Sequence, residues 1–153
     1  MLAVSWSLTL ICSLLIQAGT AVQAPDCLQA TDRSRLEKET KLDNRIKIYQ
    51  EASIRCQHLV TDMVQRQDFQ LVPGYLQSWS DLLEKSLKDV EASTVRKEKS
   101  RALKNYEIHL RKAVSAVQEL KLKATVDQFD AFEAWLNRAE QVRKKFVDFL
   151  FQR

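Results

Sequence analysis

Glycine and proline are nearly missing from this chain of 153 residues, which holds two of each: Gly19, Gly74, Pro25 and Pro73. Sandwiches, barrels and doubly wound sheets need a turn about every dozen residues, and those turns draw on these two residue types. Sheet architectures are therefore excluded, as are collagen-like and Pro/Gly-rich disordered chains. Two isolated glycines cannot build a loop that cradles phosphate. Histidine is equally scarce, with only His58 and His109. The Glu-x-x-His pairs of di-iron bundles are absent, since Glu107-Ile108-His109 has the wrong spacing, and no Cys-x-x-Cys-His attaches a haem. His58 and Asp62 share a helix face at i and i+4, but two ligands do not make a metal site. Neither a Gly-x-Ser-x-Gly turn nor a distinctive pair of carboxylates is present. The expectation is a protein that is not an enzyme, with no cofactor, no metal and no small-molecule substrate.

Charge is also absent from one long stretch, Met1 to Ala24. Within it, Leu8 to Ile16 is an apolar core of signal-peptide length, followed by small residues suited to cleavage after Ala21 or Ala24. Pro25 disfavours cut-off at Ala24, so residues 1–21 are read as the signal peptide. No Lys or Arg precedes the apolar core, and the competing readings are an uncleaved anchor or a buried helix. As signal or anchor, the segment implies a protein that is exported, periplasmic or secreted.

Removing the leader removes Cys12 and leaves Cys27 and Cys56, an even number in an oxidising compartment. Along one straight helix these two would be roughly 43 Å apart, whereas a bridge needs Cα atoms ~4.4 to 6.8 Å apart. A disulfide therefore demands a fold-back. Thr40-Lys41-Leu42-Asp43 fits a capping box, which would start the main helix there and let 27–39 double back. The alternative leaves Cys56 as a small core residue and Cys27 as an exposed thiol.

From Thr40 onward apolar residues recur in steps of three and four. The series are Leu42, Ile46, Tyr49, Ser53, Cys56, Val60, Met63; then Phe69, Val72, Leu76, Trp79, Leu83, Leu87, Val90; then Leu103, Tyr106, Leu110, Val114, Val117, Leu120; then Phe129, Phe132, Leu136, Ala139, Val142, Phe146, Phe149. Each is the seam of an amphipathic helix. The second helix starts either at Asp68, with Pro73 near its first turn, or at Tyr75 after a loop; the unbroken spacing favours Asp68. A turn is placed within 91–101. Four such helices can bury their seams only against one another. The expected fold is all-α, an antiparallel four-helix bundle or two stacked helical hairpins, with residues 22–39 as an N-terminal segment and 40–153 as a single helical domain. The pair 44–66 and 68–92 has the outline of a tetratricopeptide-like hairpin but lacks most residues of that motif.

Charge is uneven along the chain. Residues 95–123 carry nine Lys/Arg against three Asp/Glu, while the chain as a whole is only +4. Arg96, Lys97, Lys99, Arg101, Lys104, Arg111, Lys112, Lys121 and Lys123 form either a patch for a polyanion or an anionic membrane surface, or a solvated face beside the acids Asp81, Glu84, Asp89 and Glu91 of the second helix. No aromatics interleave the cations to stack bases, so nucleic acid is not expected. The C-terminal run holds Phe146, Phe149 and Phe151, which with Trp135 exceed what one seam needs. They read as a docking surface for an unknown protein partner, or as the covered face of a central helix.

Arg35-Leu36-Glu37-Lys38-Glu39, Arg45-Ile46-Lys47-Ile48-Tyr49, Asp68-Phe69 and Glu107-Ile108-His109-Leu110-Arg111-Lys112 together resemble a loose family of uncharacterised exported helical proteins from bacteria. The resemblance spans roughly residues 35 to 150. It implies an all-helical protein with a signal peptide and no known activity, ligand or catalytic residue. The family pattern lacks both the Cys27/Cys56 pair and the Pro73-Gly74 interruption.

Overall fold

The structure, a computed structural model, describes residues 26–151; the signal-peptide reading and Cys12 lie outside the described residues. Among those residues there are five α-helices and no strand: α1 (Ala30–Lys38), α2 (Leu42–Gln65), α3 (Val72–Ala92), α4 (Arg101–Lys123) and α5 (Phe129–Phe151), with single 3-10 turns at Lys97–Lys99 and Val126–Gln128.

The four long helices follow the seams read from the sequence. Tyr49, Trp79, Tyr106, Phe132, Trp135 and Phe146 are the largest of the side chains they bury completely. The helices form two hairpins, α2/α3 and α4/α5, stacked so that α2 lies beside α4 and α3 beside α5. Arg45 near the start of α2 meets Asp89 near the end of α3, so the partners within that hairpin are antiparallel. Ser100 at the start of α4 donates to Asp43 at the start of α2, 2.7 Å away, so neighbours across the stack are parallel. Of the two expected arrangements this is the stacked hairpins. The sequence-adjacent helices α3 and α4 occupy diagonal corners.

Local chemistry moves two helix starts away from the sequence reading. Thr40 and Asp43 do not form a capping box: α2 begins at Leu42 after Lys41. The Asp43 carboxylate is taken by Ser100, while Glu39 accepts the Lys41 N–H at 2.8 Å and Asn44 Nδ2–H at 3.1 Å. α3 starts at Val72, between the two expected points, with Pro73 in its first turn where its missing N–H costs least. Asp68 lies three residues before the α3 N-cap, Leu71, and belongs to the end of α2: its N–H donates back to Met63 O (2.9 Å) and Gln67 N–H to Val64 O (3.1 Å), closing α2 in a Schellman turn. Gln67 holds φ 59°, the left-handed region normally left to glycine. The cap of α4 is Ser100, whose Oγ accepts the Leu103 N–H at 3.0 Å, in keeping with a turn within 91–101.

The segment before residue 40 belongs to the same core rather than hanging beside it. Cys27, Leu28 and Leu36 are all buried, and Cys27 is disulfide-bonded to Cys56 with Cα atoms 5.5 Å apart. The chain does fold back, and the reading of Cys27 as an exposed thiol is overturned. The Cys27 N–H donates to Ser78 Oγ on α3 at 2.9 Å. At its other end α1 is held by Arg45, whose guanidinium caps the carbonyls of Leu36 and Glu39 (3.0 Å to the latter) and pairs with Asp89. Tyr49 donates to the same Asp89 carboxylate at 2.6 Å. Burial, and then that carboxylate, hold the phenol above its ordinary range.

Two stability changes are expected. Replacing both cysteines of a bridge that spans 29 residues, Cys27→Ala with Cys56→Ala, should cost about 3–4 kcal/mol in urea unfolding through the freed loop. Gln67→Gly should raise stability by about 0.5–1 kcal/mol by relieving the left-handed backbone.

Candidate functional site

Two places in the fold bring chemistry-bearing side chains together. The first lies at mid-height, where each long helix contributes one residue: Ser53 from α2, Trp79 from α3, His109 from α4 and Trp135 from α5. The Trp79 indole N–H donates to Ser53 Oγ at 2.7 Å, and Ser53 Oγ lies 2.9 Å from His109 Nε2. The serine oxygen accepts from Trp79 and shares a second hydrogen bond with His109 Nε2, whose direction follows the imidazole tautomer. The two indoles stack at 4.2 Å between centroids, tilted by 42°. Trp135 Nε1 is buried without an acceptor. Burial first, then the nearby His58 and Lys112, push the His109 pKa down to about 4.

A serine within hydrogen-bond distance of a histidine invites comparison with a nucleophile and its base. Here Ser53 is completely buried and its oxygen is occupied by an indole N–H. The unit links helices and presents no hydroxyl to solvent. The sequence reading had placed Ser53 within the α2 seam and missed this pair. The available signal was a lone hydroxyl among apolar seam positions, which requires a polar partner across the interface. His58 and Asp62 are exposed on α2, and among the described residues no three His, Cys, Asp or Glu side chains converge as a metal site.

The second place is on the surface where the start of α4 meets the end of α5. A groove of about 410 Å³ runs between them, with Ile108, Val147, Leu150 and Phe151 as apolar lining and Lys104, Arg111 and Arg143 as cationic walls. Glu107 is buried in the wall, 3.2 Å from Arg143 and 3.7 Å from Arg111. Arg143 also reaches Glu140 at 3.0 Å. Phe151 is 77% exposed.

The expected docking residues divide. Trp135 and Phe146 are 0% exposed, so they belong to the core and not to a surface. Phe146 packs on Tyr106 with centroids 5.4 Å apart, because α5 is covered by both α3 and α4. Phe149 is half-buried beneath the Lys97 ammonium, 4.9 Å from its ring. Only Phe151 stands clear.

The basic residues divide as well. Arg96, Lys99, Arg101, Lys104, Arg111 and Lys112 are exposed. Lys121 lies at the far end of α4, over the Phe129 ring and paired with Glu133, and Lys123 is exposed near it. The acids proposed to face the basic helix cannot do so: they sit on α3, diagonal to α4. Arg45 takes Asp89, and Arg138 of α5 takes Glu84 at 2.9 Å.

A shallower groove of about 670 Å³ separates α3 from α5, with Leu87 and Val142 between charges of both signs. No helix among the described residues is long and apolar enough to cross a membrane. No protein-family model, curated protein or solved structure matches the chain.

The central unit predicts a pH dependence with a defined sign. His109 stays neutral in the fold down to about pH 4, whereas the unfolded chain takes up that proton below pH ~6.5. The unfolded state thus binds more protons between those values, so stability should fall as pH drops through that window, by up to about 3 kcal/mol, and level off below it. Chemical unfolding at several pH values should show this slope, and His109→Gln should flatten it. Ser53→Ala, which leaves Trp79 Nε1 without its acceptor, should cost about 1–3 kcal/mol at neutral pH.

Proposed function

We propose that this protein is an exported, non-enzymatic helical module that acts by surface contact through the α4/α5 end of the bundle. One observation carries the reading: two features far apart in sequence, the basic start of α4 and the aromatic end of α5, share one groove, with Phe151 exposed beside Lys104 and Arg111. An apolar side chain held out of the core among cations has no use in stabilising the monomer and suits a docking surface. The complete burial of Ser53 supports a contact role over a hydrolytic one, since a substrate cannot reach the hydroxyl. Export is supported by the apolar, uncharged leader and fits a cysteine pair bonded as Cys27–Cys56.

The test uses photo-crosslinking side chains placed at positions 104 and 151 in cells. Both should trap the same partner, and Phe151→Ala with Lys104→Glu should abolish the capture while shifting unfolding by no more than about 0.5 kcal/mol. Capture that is indifferent to these changes would refute the assignment of this surface.

A further inference from the structure

The four helix ends at one pole of the bundle carry a net positive charge taken together, supplied by the link into α4, the start of α4 and the end of α5. The start of α2, the end of α3 with the link to α4, the start of α4 and the end of α5 meet there. These stretches, 39–45, 88–104 and 143–151, hold eleven Lys/Arg against six Asp/Glu. The stretches at the opposite pole, 62–75 and 118–133, hold three against six. The molecule is therefore polarised along its length, positive at the pole that carries Phe151.

Two apolar side chains project from that pole, Val95 at 57% exposure and Phe151 at 77%. They are tied to one another structurally, since the Lys97–Lys99 turn that follows Val95 packs against α5 and Lys97 covers Phe149. Among the described residues Lys99, Arg101 and Lys104 have no carboxylate at ion-pair distance; Glu98 pairs with Arg96, at 3.9 Å. The same three cations line a surface hollow of about 470 Å³ together with Leu150 and one carboxylate, Glu98.

Resting on the contact reading of this pole, we infer that its partner is the surface of an anionic phospholipid bilayer. Val95 and Phe151 enter the boundary between headgroups and acyl chains, and Lys99, Arg101 and Lys104 lie among the headgroup phosphates. Charge complementarity favours a lipid surface over an acidic protein. The cations are spread around a pole rather than converging on one carboxylate, and the apolar tips protrude where a protein partner would need a recess. The long-axis polarity turns the positive pole toward a negative plane before contact and holds the acidic pole away.

The disulfide-bonded protein is mixed with vesicles of phosphatidylcholine alone or with added phosphatidylglycerol, and the bound fraction is measured by sedimentation. Binding should require phosphatidylglycerol and weaken steeply with added salt. Replacing Lys99, Arg101 and Lys104 by Gln should weaken it roughly a hundredfold, from about fivefold per cation. Val95→Ser with Phe151→Ser should weaken it at least tenfold, whereas Lys99→Arg with Lys104→Arg should keep it, and all variants should melt like the parent. Equal binding to both vesicle types, no binding to either, or binding to soluble heparin with none to phosphatidylglycerol vesicles would overturn the inference. A protein trapped from position 151 by a chain that ignores vesicles would also overturn it, while leaving the contact reading standing.

Discussion

The junction between the two hairpins depends on four side chains at mid-height. Trp79 and Trp135 stack across the parallel pair α3 and α5, while Ser53 and His109 join the parallel pair α2 and α4. Because Trp79 also donates to Ser53, one polar chain crosses from α3 to α2 and on to α4 in the second hairpin. Apolar seams alone tolerate sliding by a turn, since a neighbouring ridge fits nearly as well. A buried indole N–H and hydroxyl, joined to a partly buried imidazole, fix a single register, because any slip leaves a donor or acceptor without a partner. The same burial that fixes the register keeps His109 uncharged.

How much of this was legible in the sequence follows from which signals are local. The three-four spacing of Leu103, Tyr106 and Leu110, or of Phe129 and Phe132, is intrinsic to each helix and located all four. Ends were harder, because caps are contested. Asp43 and Asp68 each look like a cap residue, yet Asp43 serves Ser100 of another helix and Asp68 closes the helix before it. Stacking order was not legible. Nothing in residues 91–101 says that the link crosses to a diagonal corner, and the acids of α3 were accordingly placed beside the wrong neighbour.

The surface was half legible for a related reason. Excess aromatic residues near the C-terminus were plain, but whether Phe146 or Phe151 is covered depends on how many helices surround α5. Two do, so Phe146 is enclosed and only the last ring escapes. The basic helix was visible in composition. Its division into a pole that gathers Lys99, Arg101 and Lys104 and a far end where Lys121 is paired with Glu133 is a product of length and direction. Charge polarity of the bundle is therefore a property of topology: the antiparallel α4/α5 hairpin sets the basic start of α4 beside the basic end of α5.

The diagonal link has one more consequence. Each hairpin closes on itself through sequence-near contacts, and the sole described disulfide, together with the Arg45 clamp, lies wholly within the first. Residues 93–100 between the hairpins contribute no fully buried apolar side chain. The two halves are thus joined covalently by a strap and structurally by a shared middle layer, so a chain severed at the strap retains every element needed for its fragments to recognise each other and reassemble.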